Sequence, residues 1–232
     1  MIATSLRIAV FGIPRSGKDY SIAKVKEAMN ALDIDFVHYP GVPTVRNYSL
    51  PVLGKEFKDT TIEEKGTLMD VFRKKISDRE RFPFLIQDEH YCFPTTYGGK
   101  PLINEYTKSK FPFDFRKDPG DLREYEIVLK EEWIASCDVA FYLHSDPDVI
   151  LERMHNSEGP KRNAQITSED IDLWMRFETD SLREICSAHH LRFEVFDEND
   201  GAYEGIIRCI LELMGAEPGP PPLRSPADRS KV

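Results

Sequence analysis

Gly12-Ile13-Pro14-Arg15-Ser16-Gly17-Lys18-Asp19 is the stretch that decides the fold of this chain. An apolar run, Leu6 to Phe11, leads into it, and Ile22, Val25, Met29 and Leu32 follow at spacings that share one helix face. Strand, glycine loop, helix is the setting that gives a G-x-x-x-x-G-K match its meaning. Glycines let the backbone curl with its N–H groups inward, and the helix N-terminus adds partial positive charge. Lys18 adds a full charge for terminal phosphates. Gly12, Pro14, Arg15, Ser16, Gly17, Lys18 and Asp19 are therefore the expected nucleotide-phosphate contacts. After the lysine such loops carry Ser or Thr, whose hydroxyl binds Mg²⁺. Asp19 stands there in this chain, and its carboxylate is suited to hold the ion directly or through water.

Length and composition bound the rest. The 232 residues, 41% hydrophobic and 31% charged, fit a globular chain with a full core. No apolar run approaches the ~20 residues of a membrane span. The N-terminal apolar run leads straight into the glycine loop, so no secretory layout is read there. Cys92, Cys137, Cys186 and Cys209 are widely spaced and form no C-x-x-C pair, so a cytoplasmic setting is expected, the host cytoplasm if the source is viral. The net charge of −9 disfavours a broad nucleic-acid surface but not a local basic groove. Oligomeric state is not set by the sequence, a homodimer being one option.

A second strand is expected at Asp35–Pro40, followed by a loop broken by Gly41 and Pro43. Ligands of open α/β sheets sit beyond the strands' carboxyl ends, which places Arg46, Asn47 and Tyr48 as candidate acceptor contacts. Residues 61–81 read as a helix. Phe82 to Gln87 then forms a strand ending at Asp88-Glu89-His90. One carboxylate here orients Mg²⁺ or takes the proton of an attacking hydroxyl. Asp88 is the first candidate, Glu89 the second, and His90 a substrate-positioning candidate.

Residues 91–120 read as an irregular connection in which Lys108, Lys110, Arg116 and Lys117 interleave with Phe111, Phe113 and Phe115. That pattern suits base stacking with phosphate contacts, or a cover loop plugging into the core. A helix is expected over 121–136, capped by Asp121, with Leu122, Tyr125, Leu129 and Trp133 on one face. A buried strand follows at 138–143, and Asp146-Pro147 marks a helix start. The polar segment His155–Ile166 reads as a lid, to which Arg153, Lys161 and Arg162 bring positive charge for the transferring phosphoryl group. Thr167 caps a long helix toward His189, and a last strand and helix close a domain over 1–214. The proline-rich 215–232 is expected to be a disordered tail.

These residues resemble the P-loop nucleoside and nucleotide kinases of the thymidylate kinase-like group. The likeness rests on Gly12–Lys18, the strand ending at Asp88, and the run from Asp138 through Tyr142-Leu143, Pro147 and Leu151-Glu152-Arg153 to Arg162. It implies an α/β, three-layer fold with a parallel five-stranded sheet and a helical lid. It also implies ATP with Mg²⁺ as donor and a strand-end carboxylate acting on the acceptor; Asp19 and Asp88 are the candidate Mg²⁺ ligands by their own chemistry. Asp19 and Glu89-His90 depart from the group, which often has an arginine after the acid. Gly-Lys-Asp endings occur in some phage nucleotide kinases and in phosphomevalonate kinases. The expected acceptor is a pyrimidine nucleoside or nucleotide. The alternative is 5-hydroxymethyluracil in DNA, as for the phage kinases of DNA modification. A slowly hydrolysing nucleotide switch ranks lower, because no N-K-x-D guanine-reading motif is evident.

Overall fold

The strand β1 (Leu6–Phe11) is buried along its whole length and forms the middle of a five-stranded sheet. The computed structural model describes residues 5–97, 100–101, 114–119, 123–156, 166–198 and 201–215. Beside β1 run β3 (Phe84–Asp88) and β9 (Val139–His144), with β2 (Val37–Pro40) and β10 (Arg192–Asp197) outermost, in the order β10-β9-β1-β3-β2. All four pairings are parallel. A sheet buried on both faces explains why β1 and β9 read as apolar runs rather than alternating ones. This is the three-layer phosphate-loop arrangement expected from the sequence.

The two faces of β1 feed two cores. Leu6, Ile8 and Val10 meet α1 (Lys18–Asn30) and α7 (Ala202–Met214) through Ile22, Val25, Met29, Ile206 and Ile210. Ala9 and Phe11 meet the long α6 (Ser168–Ala188) through Ile171, Trp174 and Leu182. A fully buried Ile8 or Phe11 side chain contributes about 1.5–3 kcal/mol by leaving water. A third cluster packs α2 (Gly41–Leu53) and α3 (Ile62–Ile76) on Leu85 of β3. Local chemistry sets several helix starts. Thr61 and Glu64 form a capping box for α3, Thr167 and Asp170 one for α6, and Asp146 caps α5 (Pro147–His155).

Three expectations are corrected. Residues 41–53 are a helix, not a loop. Pro43 lies in its first turn, where the missing N–H costs little, and Val45 and Tyr48 pack into the third cluster. The described part of 121–136 is not one helix. It holds strand β8 (Glu124–Ile127) and the short α4 (Glu131–Ala135). Tyr125 and Ile127 alternate inward with a period of two, and β8 pairs with β4 (Cys92–Pro94) and β7 (Asp114–Lys117) in an antiparallel sheet. Residues 91–120, expected to be irregular, thus contain strands, including the small hairpin β5 (Thr96–Tyr97) and β6 (Lys100–Pro101). Of the expected tail, 215–232, Gly215 caps α7 and 216–232 lie outside the described residues.

Candidate active site

The glycine loop leaves β1 at the sheet's carboxyl edge, between the ends of β3 and β9, where the strand connections diverge. Gly12, Arg15 and Gly17 take positive φ, at 146°, 73° and 86°. A Cβ at Gly12 would stand 2.6 Å from Ser16 Oγ and 2.9 Å from Leu143 O, so only glycine fits. The Lys18 ammonium arches back onto the carbonyls of Gly12 and Ile13. Ser16 Oγ is buried inside the loop with no hydrogen-bond partner among the described residues.

Asp88 ends β3 opposite Val10, and its Oδ1 lies 3.7 Å from Lys18 Nζ. That is an ion pair, longer than a hydrogen bond. Burial pushes the Asp88 carboxyl up to about 6; the Lys18 charge opposes this, and Asp19, within hydrogen-bonding reach, reinforces it. Burial lowers the Lys18 pKa, and Asp88 restrains the fall. His90 Nδ1 stands 3.5 Å from Lys18 Nζ. Asp88 and His90 thus flank the Lys18 ammonium, and Asp19 lies beside Asp88. Asp19 and Asp88 form a two-carboxylate donor set beside a phosphate loop, which fits Mg²⁺, an ion that takes one or two carboxylates and keeps water and substrate oxygens. Among the described residues no larger acidic, His or Cys cluster gathers.

Glu89 takes the other side of the strand. Its carboxylate lies 2.5 Å from Arg73 of α3, and Arg73 also donates to Gln87. Gln87 and Glu89 share one side and Asp88 the other, as strand alternation requires. Burial raises the Glu89 pKa and the Arg73 charge counters it.

Arg153 Nη1 lies 2.7 Å from Glu198 Oε2 and 3.2 Å from the Arg15 carbonyl. Glu198, just past β10, also accepts the Ser145 hydroxyl at 2.6 Å. Arg153 therefore fastens the outer rim of the loop on the β9–β10 side, across β1 from Asp88. Lys161, Arg162 and the body of the expected lid, 157–165, lie outside the described residues.

Arg46, Asn47 and Tyr48 ride on α2, at successive steps of about 100° around the helix. Tyr48 OH accepts from Lys75 at 2.6 Å, the Arg46 guanidinium lies 5.8 Å from the Phe57 ring, and Asn47 is exposed. In the basic-aromatic stretch, Arg116 is held by Glu131 at 2.7 Å and Phe115 is about half exposed. Lys108, Lys110, Phe111 and Phe113 lie outside the described residues.

Sequence reasoning missed Glu178, Glu198 and Arg73. Glu178 is fully buried beneath the site and accepts the Tyr91 and Cys92 amides at 2.7 and 3.4 Å and the Tyr142 hydroxyl at 3.2 Å. Burial pushes its carboxyl up to about 7, against the pull of the Tyr91 amide and the Lys18 charge. Its signal was an acid at a core position of the Ile171, Trp174, Met175, Leu182 stripe.

No protein-family model and no curated protein matches the sequence. Among solved structures, the chain is similar to a shikimate kinase from Bacteroides thetaiotaomicron at 13% identity and a TM-score of 0.43, over 90% of this chain and 98% of that one. It is also similar to the shikimate kinase from Acinetobacter baumannii in complex with shikimate, at 12% identity and a TM-score of 0.44, over 91% and 93%. Likeness this distant names no family, and the fold stands on the strand order and the glycine loop themselves.

Proposed function

We propose that residues 1–214 form an ATP-dependent kinase domain, in which the glycine loop holds the donor phosphates and Asp88 acts on the acceptor hydroxyl. The observation that carries this reading is the buried Lys18–Asp88 pair at 3.7 Å, with Asp19 beside it. Lys18 leaves the Gly12 and Ile13 carbonyls to meet the terminal phosphates, and its charge counters the charge that develops in transfer. Asp88, ionised above about 6, accepts the proton of the attacking hydroxyl. Asp19 and Asp88 are the residues that would hold Mg²⁺, which supplies charge neutralisation at the phosphates. Arg153 and Glu198 fix the rim of the loop; Arg162 belongs to the proposed lid over about 155–166.

The acceptor we favour is a pyrimidine nucleoside or nucleotide, in keeping with the resemblance to thymidylate kinase-like enzymes. Its support on the acceptor side is His90, partly exposed beside Lys18, at the head of an aromatic row with Phe93 at 5.3 Å and Trp174 at 5.4 Å from ring to ring. A planar base extends such a row. DNA bearing 5-hydroxymethyluracil is the second reading, carried by exposed Phe115 and Lys117.

Incubation with γ-labelled ATP and a panel of nucleosides, nucleoside monophosphates, mevalonate phosphate and hydroxymethyluracil DNA tests both readings. Label on a free pyrimidine, insensitive to salt, is expected. Label on DNA with steep loss of affinity as salt rises selects the polymer. Label on mevalonate phosphate alone removes the planar-acceptor reading.

A further inference from the structure

On the sheet face covered by α3 and α4 lies a cavity of about 270 Å³, lined by Arg7, the second residue of β1, by Gln87 of β3 and by Ser136 ahead of β9. It is separate from the glycine loop, which lies at the carboxyl edge. Its lining is cationic: Arg7, Arg73 and Lys74 against one carboxylate, Asp70. Asp70 is already matched by Lys130 at 3.0 Å. Arg7 is 3% exposed and Arg73 7%. Arg7 Nη1 donates to the Ile76 carbonyl, but its Nη2 is buried with no hydrogen-bond partner among the described residues, and so is Arg73 Nε. Asp138 accepts the Arg7 backbone N–H and pairs with Arg79, so it does not complete the guanidinium.

Leaving buried guanidinium donors unmade is costly, and a bound oxyanion repairs it with charge-assisted, forked hydrogen bonds. Trp133 walls the cavity, yet the Arg73 guanidinium and Lys130 ammonium each lie 5.0 Å from its ring. Little bare aromatic surface is left for a base. We propose that this cavity binds a small oxyanion, inorganic phosphate or a phosphate monoester, through Arg7, Arg73 and Lys74. Arg73 also holds Glu89, next to Asp88, so a bound anion draws on the guanidinium that fixes the end of β3. That coupling, unlike the binding, rests on the reading of Asp88 given above.

The chain has two tryptophans, Trp133 on the cavity and Trp174 in the core. Full-length protein labelled with 5-fluorotryptophan, as wild type and as Lys18→Ala, is titrated with inorganic phosphate and with glycerol 3-phosphate against sodium chloride of equal ionic strength. The Trp133 fluorine signal is expected to shift saturably in both proteins while Trp174 stays still. The anion that saturates at lower concentration identifies free phosphate or ester as the ligand. Lys74→Glu, at an exposed position, is expected to weaken binding about tenfold or more. A Trp133 shift seen only with Lys18 intact places the anion in the glycine loop and overturns the proposal. So does the absence of saturation, or an affinity unchanged by Lys74→Glu.

Discussion

Lys18 Nζ and Asp88 Oδ1 stand 3.7 Å apart with both side chains largely buried, one on the glycine loop and the other at the end of the neighbouring strand. Each perturbs the other: the lysine holds the aspartate below the pKa that burial alone would impose, and the aspartate does the converse. Removing Lys18 therefore has two effects. Lys18→Ala is expected to lower turnover by about 10²–10⁴, the range for one electrostatic group. It should also raise the Asp88 pKa further above 6, so that the orphaned carboxyl takes up a proton and the fold survives. Activity assays and an NMR titration of Asp88 in the variant check the two parts.

The raised Asp88 pKa has a signature in stability. Between 3.8 and about 6 the folded chain binds a proton that the unfolded chain has released, so stability falls as pH rises through that window. The shift corresponds to on the order of 2–3 kcal/mol. Asp88→Asn should remove the Asp88 part of this slope, leaving the part that Glu178 contributes, and should be inactive. Urea unfolding at pH 4 and pH 7 measures it. Equal slopes in both proteins would sink the claim.

Glu178 gives a second window that overlaps the first and extends to higher pH. Its carboxyl rises from 4.5 to about 7, so its contribution also declines as pH climbs from 4.5 to 7. Glu178→Gln keeps acceptors for the Tyr91 and Cys92 amides and should fold well with a flatter pH profile. Glu178→Ala strands both amides and should cost about 2–5 kcal/mol. Comparable stability of the two variants in denaturant would show that the buried carboxylate does not hold the β3–β4 connection.

Arg153 is placed on the loop's rim, bonded to Arg15 O and Glu198. Arg153→Ala should therefore raise KM for ATP severalfold with a smaller change in kcat. A large fall in kcat at unchanged KM would instead make Arg153 the cation of the transferring phosphoryl group.

What the sequence made legible was local. The spacing of Gly12, Gly17 and Lys18, the cap pairs Asp146-Pro147 and Thr167–Asp170, and the apolar run into Asp88 all act within a few residues of themselves. The failures are non-local. Gly41 and Pro43 look like breakers, yet the packing of Val45 and Tyr48 against α3 holds 41–53 helical. Tyr125 and Leu129 fit a helical spacing, but pairing with β4 makes their segment a strand and its approach. Glu178 finds its partner Tyr91 across 87 positions of chain, which no local pattern announces.

Transfer of label from γ-labelled ATP by wild type and Asp88→Asn, with bound ATP measured in parallel, tests the Lys18–Asp88 centre most directly. Wild type should place the label on a nucleoside-type acceptor, and Asp88→Asn should bind ATP with little change, since Asp19 remains to hold Mg²⁺, while transfer falls by about 10² or more. Label released only as inorganic phosphate by wild type, or undiminished transfer by Asp88→Asn, would contradict it.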